Sequence, residues 1–210
     1  MLIKKTEVRR MRIGITGNIG SGKSYVCSLF KELGIPVFDS DYEAKQLYYR
    51  PEVKAKMVSR FGSDVYHEDG TLDRARMAGC VFSDACALGY VESVLYPALN
   101  EWFAEWTEQQ NMPYVLYESA LIFEKHIETM FDAVIVVAAS EPVRIRRVMT
   151  RDHCTEEEVL ARMAMQLPQS EKLTKADYVI VHEKDDEDEY LKEQVQRIHS
   201  EIFQSLAFDT

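Results

Sequence analysis

The stretch GITGNIGSGKS, Gly14 to Ser24, contains four glycines, two serines and one lysine within eleven residues. From Gly17 onward it has the spacing G-x-x-x-x-G-K-S of a P-loop. Glycines let backbone N–H groups converge on an anion without a Cβ in the way, and a helix N-terminus adds partial positive charge. The stretch therefore predicts a phosphate-binding loop for a nucleoside triphosphate.

The flanking sequence fits this interpretation. MRIGIT, which begins at Met11, is typical of a short buried strand. The segment after the loop has apolar residues at helical spacing and stops at Gly34; they are Val26, Leu29, Phe30 and Leu33. A glycine-rich turn with a chance lysine is the alternative, but the order strand, glycine loop, helix is the context that a P-loop requires.

The motif also predicts ligands. We expect Lys23 to contact the β- and γ-phosphates and the Ser24 hydroxyl to hold Mg²⁺, so the predicted cofactors are ATP and Mg²⁺. The predicted nucleotide-binding residues are Gly17, Asn18, Ile19, Gly20, Ser21, Gly22, Lys23, Ser24 and Tyr25. The loop does not identify the group that accepts the phosphate.

Length and composition narrow the class of protein. A chain of 210 residues can bury a sizeable core, and its net charge of −10 argues against a nucleic-acid partner. No apolar run approaches the roughly 18 residues that span a membrane, and no apolar segment near the start resembles a secretion signal. The four scattered cysteines lack C-x-x-C spacing. We expect a cytoplasmic protein with reduced thiols and no membrane partner, either a monomer or a weak homo-oligomer.

Alternating strand and helix patterns predict an α/β fold with a parallel five-stranded sheet flanked by helices. Residues 1–10 form a basic N-terminal extension, and the core comprises residues 11–41, 114–140 and 170–210. Residues 42–113 form a mostly helical insert, and residues 141–169 form a helical, arginine-rich lid.

Two carboxylates, Asp39 and Asp41, follow the second predicted strand. In open α/β sheets the carboxyl ends of the strands face the ligand crevice. One carboxylate can accept the proton of an attacking hydroxyl, and the other can order the water ligands of a metal ion. The alternative role is structural, because Ser40 and Asp41 are suitable caps for the next helix.

An arginine cluster follows the fourth predicted strand and comprises Arg144, Arg146, Arg147, Arg151 and Arg162. Arg144, Arg147 and Arg151 share one face at helical spacing. In an acidic chain this local excess of positive charge favours a lid that covers phosphate groups. A solvated face paired with Glu156–Glu158 is the alternative.

Among P-loop proteins, a small-molecule kinase fits best. A GTPase should carry D-x-x-G, but no aspartate lies three residues before any glycine of the chain. The segment TKAD, Thr174 to Asp177, matches a second GTPase pattern in letters but precedes a strand instead of following one. A motor ATPase is normally larger and has an apolar run that ends in D-E, whereas YVLYES contains only Glu118.

Six segments occur in order between about Met11 and about Val181: GITGNIGSGKS, LGIPVFDSD, DGTLDRARM, VESVLYPAL, ESALIFE and EKLTKADYVIV. In these segments the chain resembles the dephospho-coenzyme A kinases. The resemblance implies Mg²⁺- and ATP-dependent phosphorylation of the ribose 3′-hydroxyl of dephospho-CoA, the last step of coenzyme A synthesis. It implies that Asp41 is the base with Asp39 as its partner, and that Arg147 and Arg151 contact phosphate. It also places Lys45 and Arg74 on the acceptor side, within an acceptor-binding insert.

Some positions depart from the family pattern. Tyr96-Pro97 stands where the family commonly has His-Pro, Glu118 where it has aspartate, and Val181-His182 where it has Asp-Asn. These departures put in doubt an acceptor contact at Tyr96, a catalytic role for Glu118 and the usual adenine contacts. Two alternatives remain: another P-loop kinase for a nucleoside, nucleotide or sugar, and a nucleotide-dependent switch without an acceptor.

Overall fold

The computed structural model describes residues 9–84, 86–184 and 188–208 of the chain. Most of the predicted N-terminal extension and the first residues of the acidic run 185–189 therefore lie outside the described residues. The described chain divides into two compact units. One consists of the segments up to Phe38 and from Gln110 onward, and the other consists of Asp39–Gln109.

A five-stranded sheet organises the first unit. Its strands are β1 (Met11–Thr16), β2 (Val37–Asp39), β3 (Tyr114–Glu118), β4 (Ala133–Ala138) and β5 (Tyr178–Val181), in the order β2-β3-β1-β4-β5. The central strand β1 pairs in parallel with both β3 and β4, and β4 pairs in parallel with β5. The predicted parallel α/β sheet is confirmed.

Helices occupy most of the remaining described chain. In chain order they are α1 (Lys23–Glu32), α2 (Ser40–Leu47), α3 (Pro51–Phe61), α4 (Arg74–Ser83), α5 (Ala87–Glu108), α6 (Glu141–Asp152), α7 (Glu156–Met163), α8 (Gln169–Thr174) and α9 (Asp188–Phe208). Short 3₁₀ turns lie at Ser63–Val65 and Glu128–Met130. Within the described residues, no helix is long and apolar enough to cross a membrane.

The main core of the first unit lies between the sheet and helices α1 and α9. Ile13 and Ile15 of β1 and Ile135 of β4 are fully buried there, with Phe30 of α1 and Ile198 of α9 packed in the same cluster. Parallel strands that are covered on both faces have continuous apolar sequences, which explains runs such as AVIVVA in β4. This core fixes the strand β1 that leads into the P-loop.

The second unit is helical. Its buried side chains include Leu47 of α2, Val53 and Met57 of α3, and Phe103 of α5. Helix α5 continues through Pro97. The first helix of this unit, α2, carries the predicted residues Asp41 and Lys45.

The predicted capping residues of α2 were wrong. Asp39, not Ser40 or Asp41, is the N-cap: its carboxylate Oδ1 accepts a hydrogen bond of 3.0 Å from the backbone N–H of Tyr42. The physical reason is that an N-cap residue keeps an extended backbone, and Asp39 has φ −84° and ψ 100° as the last residue of β2. The helix therefore begins earlier than the sequence suggested.

The position of the core predicts the effect of truncation. Ile135→Ala should lower the free energy of unfolding by about 2–5 kcal/mol, because it removes fully buried methyl groups at the centre of the sheet. Met165→Ala is the control, since this side chain is 83% exposed, and it should change stability by no more than about 0.5 kcal/mol. Urea denaturation of both variants measures the difference, and equal effects would contradict the assigned core.

Candidate nucleotide-binding site

The P-loop joins the carboxyl end of β1 to the N-terminus of α1. Gly22 is the N-cap residue of α1, and no side chain of the described residues caps this helix. The first N–H groups of a helix have no partner within the helix, and together they carry partial positive charge. The start of α1 is therefore suited to bind the phosphates of a nucleotide.

Two glycines of the loop are required by its close packing. A Cβ at Gly17 would overlap the carbonyl oxygen of Val137 and lie 2.6 Å from Oγ of Ser21. Gly22 has φ +87°, and a Cβ there would overlap Nδ1 of His182 and lie 2.7 Å from its Cε1. The loop thus lies directly against β4 and against the residue that follows β5.

Lys23 and Ser24 both contact the carboxylate of Glu118. The Lys23 ammonium Nζ lies 2.9 Å from Oε1 of Glu118, and the Ser24 hydroxyl donates a hydrogen bond of 2.7 Å to the same oxygen. Burial raises the pKa of the Glu118 carboxyl, but the charge of Lys23 and the donated hydrogen bonds outweigh burial and hold the pKa below its usual value. The carboxyl is therefore an anion beside the predicted phosphate site.

The sheet register explains why Glu118 reaches the loop. Glu118 is the last residue of β3 and lies opposite Ile15 in β1, just before the P-loop. The Ser119 N–H continues this pairing with a hydrogen bond of 3.1 Å to the carbonyl oxygen of Ile15. The sequence did contain a signal for this contact, a carboxylate at the end of a buried strand, but the pairing of β3 with β1 was needed to interpret it.

A distant segment holds the first half of the P-loop. The Asn18 amide Nδ2 donates a hydrogen bond of 2.8 Å to the carbonyl oxygen of Leu167. The backbone N–H of Ile19 donates another of 2.8 Å to Oε1 of Gln166. Sequence analysis did not predict these partners, because they are nearly 150 residues away and belong to no local motif.

The three arginines on one face of α6 have different surroundings. Arg144 is buried, and its Nε donates to the carbonyl oxygen of Ala139 at 3.1 Å, so it has a structural role. Arg147 donates from Nη1 to the carbonyl oxygens of His182 at 2.9 Å and of Gly20 at 3.4 Å. The Arg147 guanidinium therefore lies beside the P-loop, whereas Arg144 anchors the helix.

Arg151 forms a different contact at the end of α6. Its Nε and Nη2 bond both carboxylate oxygens of Asp152, at 2.7 and 3.0 Å, and Arg162 bonds the same carboxylate at 2.7 Å. Hydrogen bonds from Arg151 and then Arg162 lower the pKa of Asp152 to about 2. Glu158, one of the residues of the alternative pairing, forms a capping box with Thr155.

A cavity of about 510 Å³ adjoins the start of α1. Its lining residues are Gly22, Tyr25, Arg146, Arg147, Thr150, Arg151 and His182. The rings of Tyr25 and His182 are stacked with centroids 5.7 Å apart. Aromatic rings next to guanidinium groups can bind a planar base and an anionic group together.

The predicted site residues fall into two groups. The first unit brings the P-loop residues, Tyr25, Arg147 and Arg151 together around the start of α1 and the adjoining cavity. The second unit holds the other predicted residues, Asp39, Asp41, Lys45 and Arg74, all of them exposed. Asp41 and Lys45 are one helical turn apart on α2, and Arg74 is the first residue of α4.

Comparisons with known proteins agree on one family. A family model described as dephospho-CoA kinase matches residues 11–188. A dephospho-CoA kinase from Syntrophotalea carbinolica is 39% identical over 173 residues, which cover 80% of this chain and 82% of that protein. A solved protein from Thermus thermophilus is 35% identical, with a TM-score of 0.77 and coverage of 94% and 98%. A dephospho-CoA kinase from Campylobacter jejuni, 22% identical with a TM-score of 0.70 and coverage of 94% and 99%, shares the fold.

The packing of the loop predicts that Gly22→Ala abolishes ATP binding. The new Cβ would overlap the His182 ring and hold a left-handed backbone that L side chains rarely adopt. Calorimetric titration with ATP measures the loss. Gly89→Ala is the matched control, because a Cβ there meets nothing within 4 Å and helix α5 should gain up to about 1 kcal/mol. Unchanged affinity in Gly22→Ala would contradict the loop geometry.

Proposed function

The chain belongs to the dephospho-CoA kinase family of ATP-dependent transferases, and we propose that it performs that family's reaction at the P-loop site described above. In this reaction the γ-phosphate of ATP is transferred to the ribose 3′-hydroxyl of dephospho-CoA, which gives coenzyme A and ADP. The observation that supports the site assignment most strongly is the contact of Lys23 and Ser24 with Glu118 at the uncapped start of α1.

The phosphates of ATP bind the N-terminus of α1 and Lys23. Phosphoryl transfer requires little covalent chemistry from the protein, so the catalytic work is to position the groups and to stabilise negative charge. Backbone N–H groups of the loop and the Lys23 ammonium provide fixed positive charge where that negative charge develops. Arg147, whose guanidinium lies beside Gly20, adds a further positive charge.

Mg²⁺ would be held by Ser24 and Glu118. A hydroxyl oxygen and an ionised carboxylate are oxygen ligands of the kind that Mg²⁺ prefers, usually with several of its waters retained. The two ligand oxygens lie close together, because the Ser24 hydroxyl donates a hydrogen bond of 2.7 Å to Oε1 of Glu118. When bound, the ion supplies charge neutralisation on the phosphates. The low pKa of Glu118 keeps its carboxylate available for the ion at neutral pH.

The cavity beside Gly22 accommodates the nucleoside of ATP. Its volume of about 510 Å³ is in the range of small-molecule sites. Tyr25 and His182 provide stacked rings on one wall, and Arg151 provides a guanidinium. This assignment gives His182 a role although the sequence lacks the usual Asp-Asn at this point.

Asp41 is the proposed base for the 3′-hydroxyl. Asp39 already uses Oδ1 to cap α2, so its carboxylate is engaged in holding the start of the helix. Asp41, the second residue of α2, is exposed, and it matches the position of the family's proposed base. We assign Asp39 as the partner carboxylate, and Lys45 and Arg74 as cations on the acceptor side.

We assign functions to the helical insert and to the arginine-rich lid. Residues 42–113 bind the acceptor, and residues 141–169 form a lid that excludes water from the reaction. Exclusion of water matters because hydrolysis of ATP would compete with transfer to the acceptor. Arg144 bonds Ala139, and Ser140, just before the lid, bonds Glu183, so the start of α6 is fastened. Residues 166 and 167 bond the P-loop, so closure involves the segment between these two attachments.

The acceptor is tested by a coupled ADP-release assay with Mg·ATP. We expect ADP release only when dephospho-CoA is present, because the family's reaction couples the two substrates. A panel of nucleosides and nucleoside monophosphates serves as the control set. ADP release with one of these acceptors would indicate another P-loop kinase activity. ADP release that does not depend on any acceptor would contradict the kinase assignment.

The base is tested by paired amide substitutions. Asp41→Asn should lower kcat by about 10²–10⁴-fold with ATP affinity unchanged, because a positioned base is removed and the P-loop is not. Asp39→Asn should lower kcat less, since asparagine is an equally good N-cap and only the partner carboxylate is lost. Asp64→Asn, at an exposed position of the turn Ser63–Val65, is the neutral control. Near-normal turnover in Asp41→Asn would refute its role.

A further inference from the structure

A fully buried lysine lies behind the nucleotide site. Lys172 of α8 has no exposed side-chain surface, and its Nζ lies 2.7 Å from Oε1 of Glu124 and donates a hydrogen bond of 2.9 Å to the carbonyl oxygen of Ala120. Burial lowers the pKa of the Lys172 ammonium and outweighs the opposing effect of Glu124, and the charges of Lys23 and Arg144 lower it further. A charged group in such a place requires an explanation beyond packing.

Hydrogen bonds also connect the Glu124 carboxylate to the P-loop. Oε1 of Glu124 also accepts a hydrogen bond of 3.0 Å from the backbone N–H of Leu167. The carbonyl oxygen of Leu167 accepts from Asn18, and the neighbouring Gln166 accepts from the N–H of Ile19, both at 2.8 Å. A continuous series of bonds therefore runs from the ion pair to the first half of the loop.

The ion pair also fixes the chain that follows Glu118. Ala120 and Glu124 both belong to the turn after β3, whose last residue is the carboxylate that Lys23 and Ser24 contact. One pair of charges thus connects three segments: the turn after β3, helix α8 and the residues that bond the P-loop.

Apolar residues could fill this space but could not make these bonds. Replacing a buried ion pair with apolar side chains of similar volume is often neutral or stabilising, so stability alone is a weak reason for the pair. A carboxylate can accept from an ammonium and from a backbone N–H at once, and the ammonium can donate to a carbonyl as well. The specific bonds, more than the buried charge, distinguish this arrangement.

We propose that Glu124 is a positioning residue, which holds Asn18 and Ile19 of the P-loop in the nucleotide-binding conformation through residues 166 and 167. Lys172 supplies the counter-charge that this buried carboxylate requires. This inference rests on the proposed function of the loop as the ATP site. It gives a role to the ESALIFE and EKLTKAD segments, which contain Glu124 and Lys172 and which the P-loop motif alone leaves unexplained.

Two double variants separate positioning from stability. Glu124→Met with Lys172→Met removes both charges and the acceptor of the Leu167 N–H. Glu124→Gln with Lys172→Met also removes both charges but keeps a side-chain oxygen for that N–H. Neither variant leaves an unpaired buried charge. The affinity for ATP is measured by calorimetric titration, KM is measured for both substrates, and thermal unfolding reports the fold.

We expect the Met/Met variant to bind ATP about tenfold more weakly, because a lost acceptor leaves the Leu167 N–H unsatisfied, while the KM for dephospho-CoA is unchanged. The Gln/Met variant should retain ATP affinity within about threefold. Equal ATP affinity in the two variants, or equal losses for both substrates, would overturn the proposal and leave the pair with a structural role alone.

A milder variant covers the case in which both double variants fail to fold. Gln166→Ala removes only the acceptor of the Ile19 N–H from a half-buried side chain, and it should also weaken ATP binding by several-fold. Gln204→Ala, exposed on α9, is the matched control. Unchanged ATP affinity in Gln166→Ala would refute the positioning path. Because ATP binding is measured directly, the failure of dephospho-CoA to support ADP release in the native chain would count only against the proposed acceptor.

Discussion

The open N-terminus of α1 is the constraint on which the rest of the site depends. A helix start without a side-chain cap leaves its first N–H groups available to an anion, and in this chain Gly22 leads into it with a left-handed backbone. The residues that pack against the P-loop must then leave space for phosphate on the side of the loop that faces the nucleotide. The close approach of Val137 and His182 to the loop glycines follows from this requirement, because their contacts fix the loop from behind.

Part of the positive charge around the site is paired locally, although the chain as a whole is strongly acidic. Lys23 pairs with Glu118, and Arg151 and Arg162 share the single carboxylate of Asp152, so an excess of positive charge remains. Such pairs hold cations in fixed positions before the nucleotide arrives, so less reorganisation accompanies binding. Arg144 illustrates the limit of counting charges: it lies on the same helical face as Arg147, yet it is buried and bonded to Ala139.

The sequence predicted the parts of the fold that have local signals. The P-loop spacing, the buried strands and the amphipathic helices are patterns within short windows, and the parallel sheet followed from them. The bonds of Asn18 and Ile19 to residues 166 and 167, and the pair Glu124–Lys172, join segments far apart in the chain, and no periodicity predicts them. Ser40 and Asp41 were predicted as caps in place of Asp39, because capping depends on where the strand ends, which sequence patterns locate only approximately.

Glu118 shows how structure adds to a question raised by sequence. A glutamate where the resemblance leads one to expect aspartate put its role in question, since the extra methylene displaces the carboxylate. The geometry supports the proposed role in metal binding, because a single oxygen of Glu118 lies within hydrogen-bonding distance of both Lys23 and Ser24. The longer side chain extends from the end of β3 to the start of α1, so the loop keeps a carboxylate beside the hydroxyl that is proposed to hold the metal ion. The proposed metal site requires a carboxylate at this position, and this strand end supplies it with a side chain of different length.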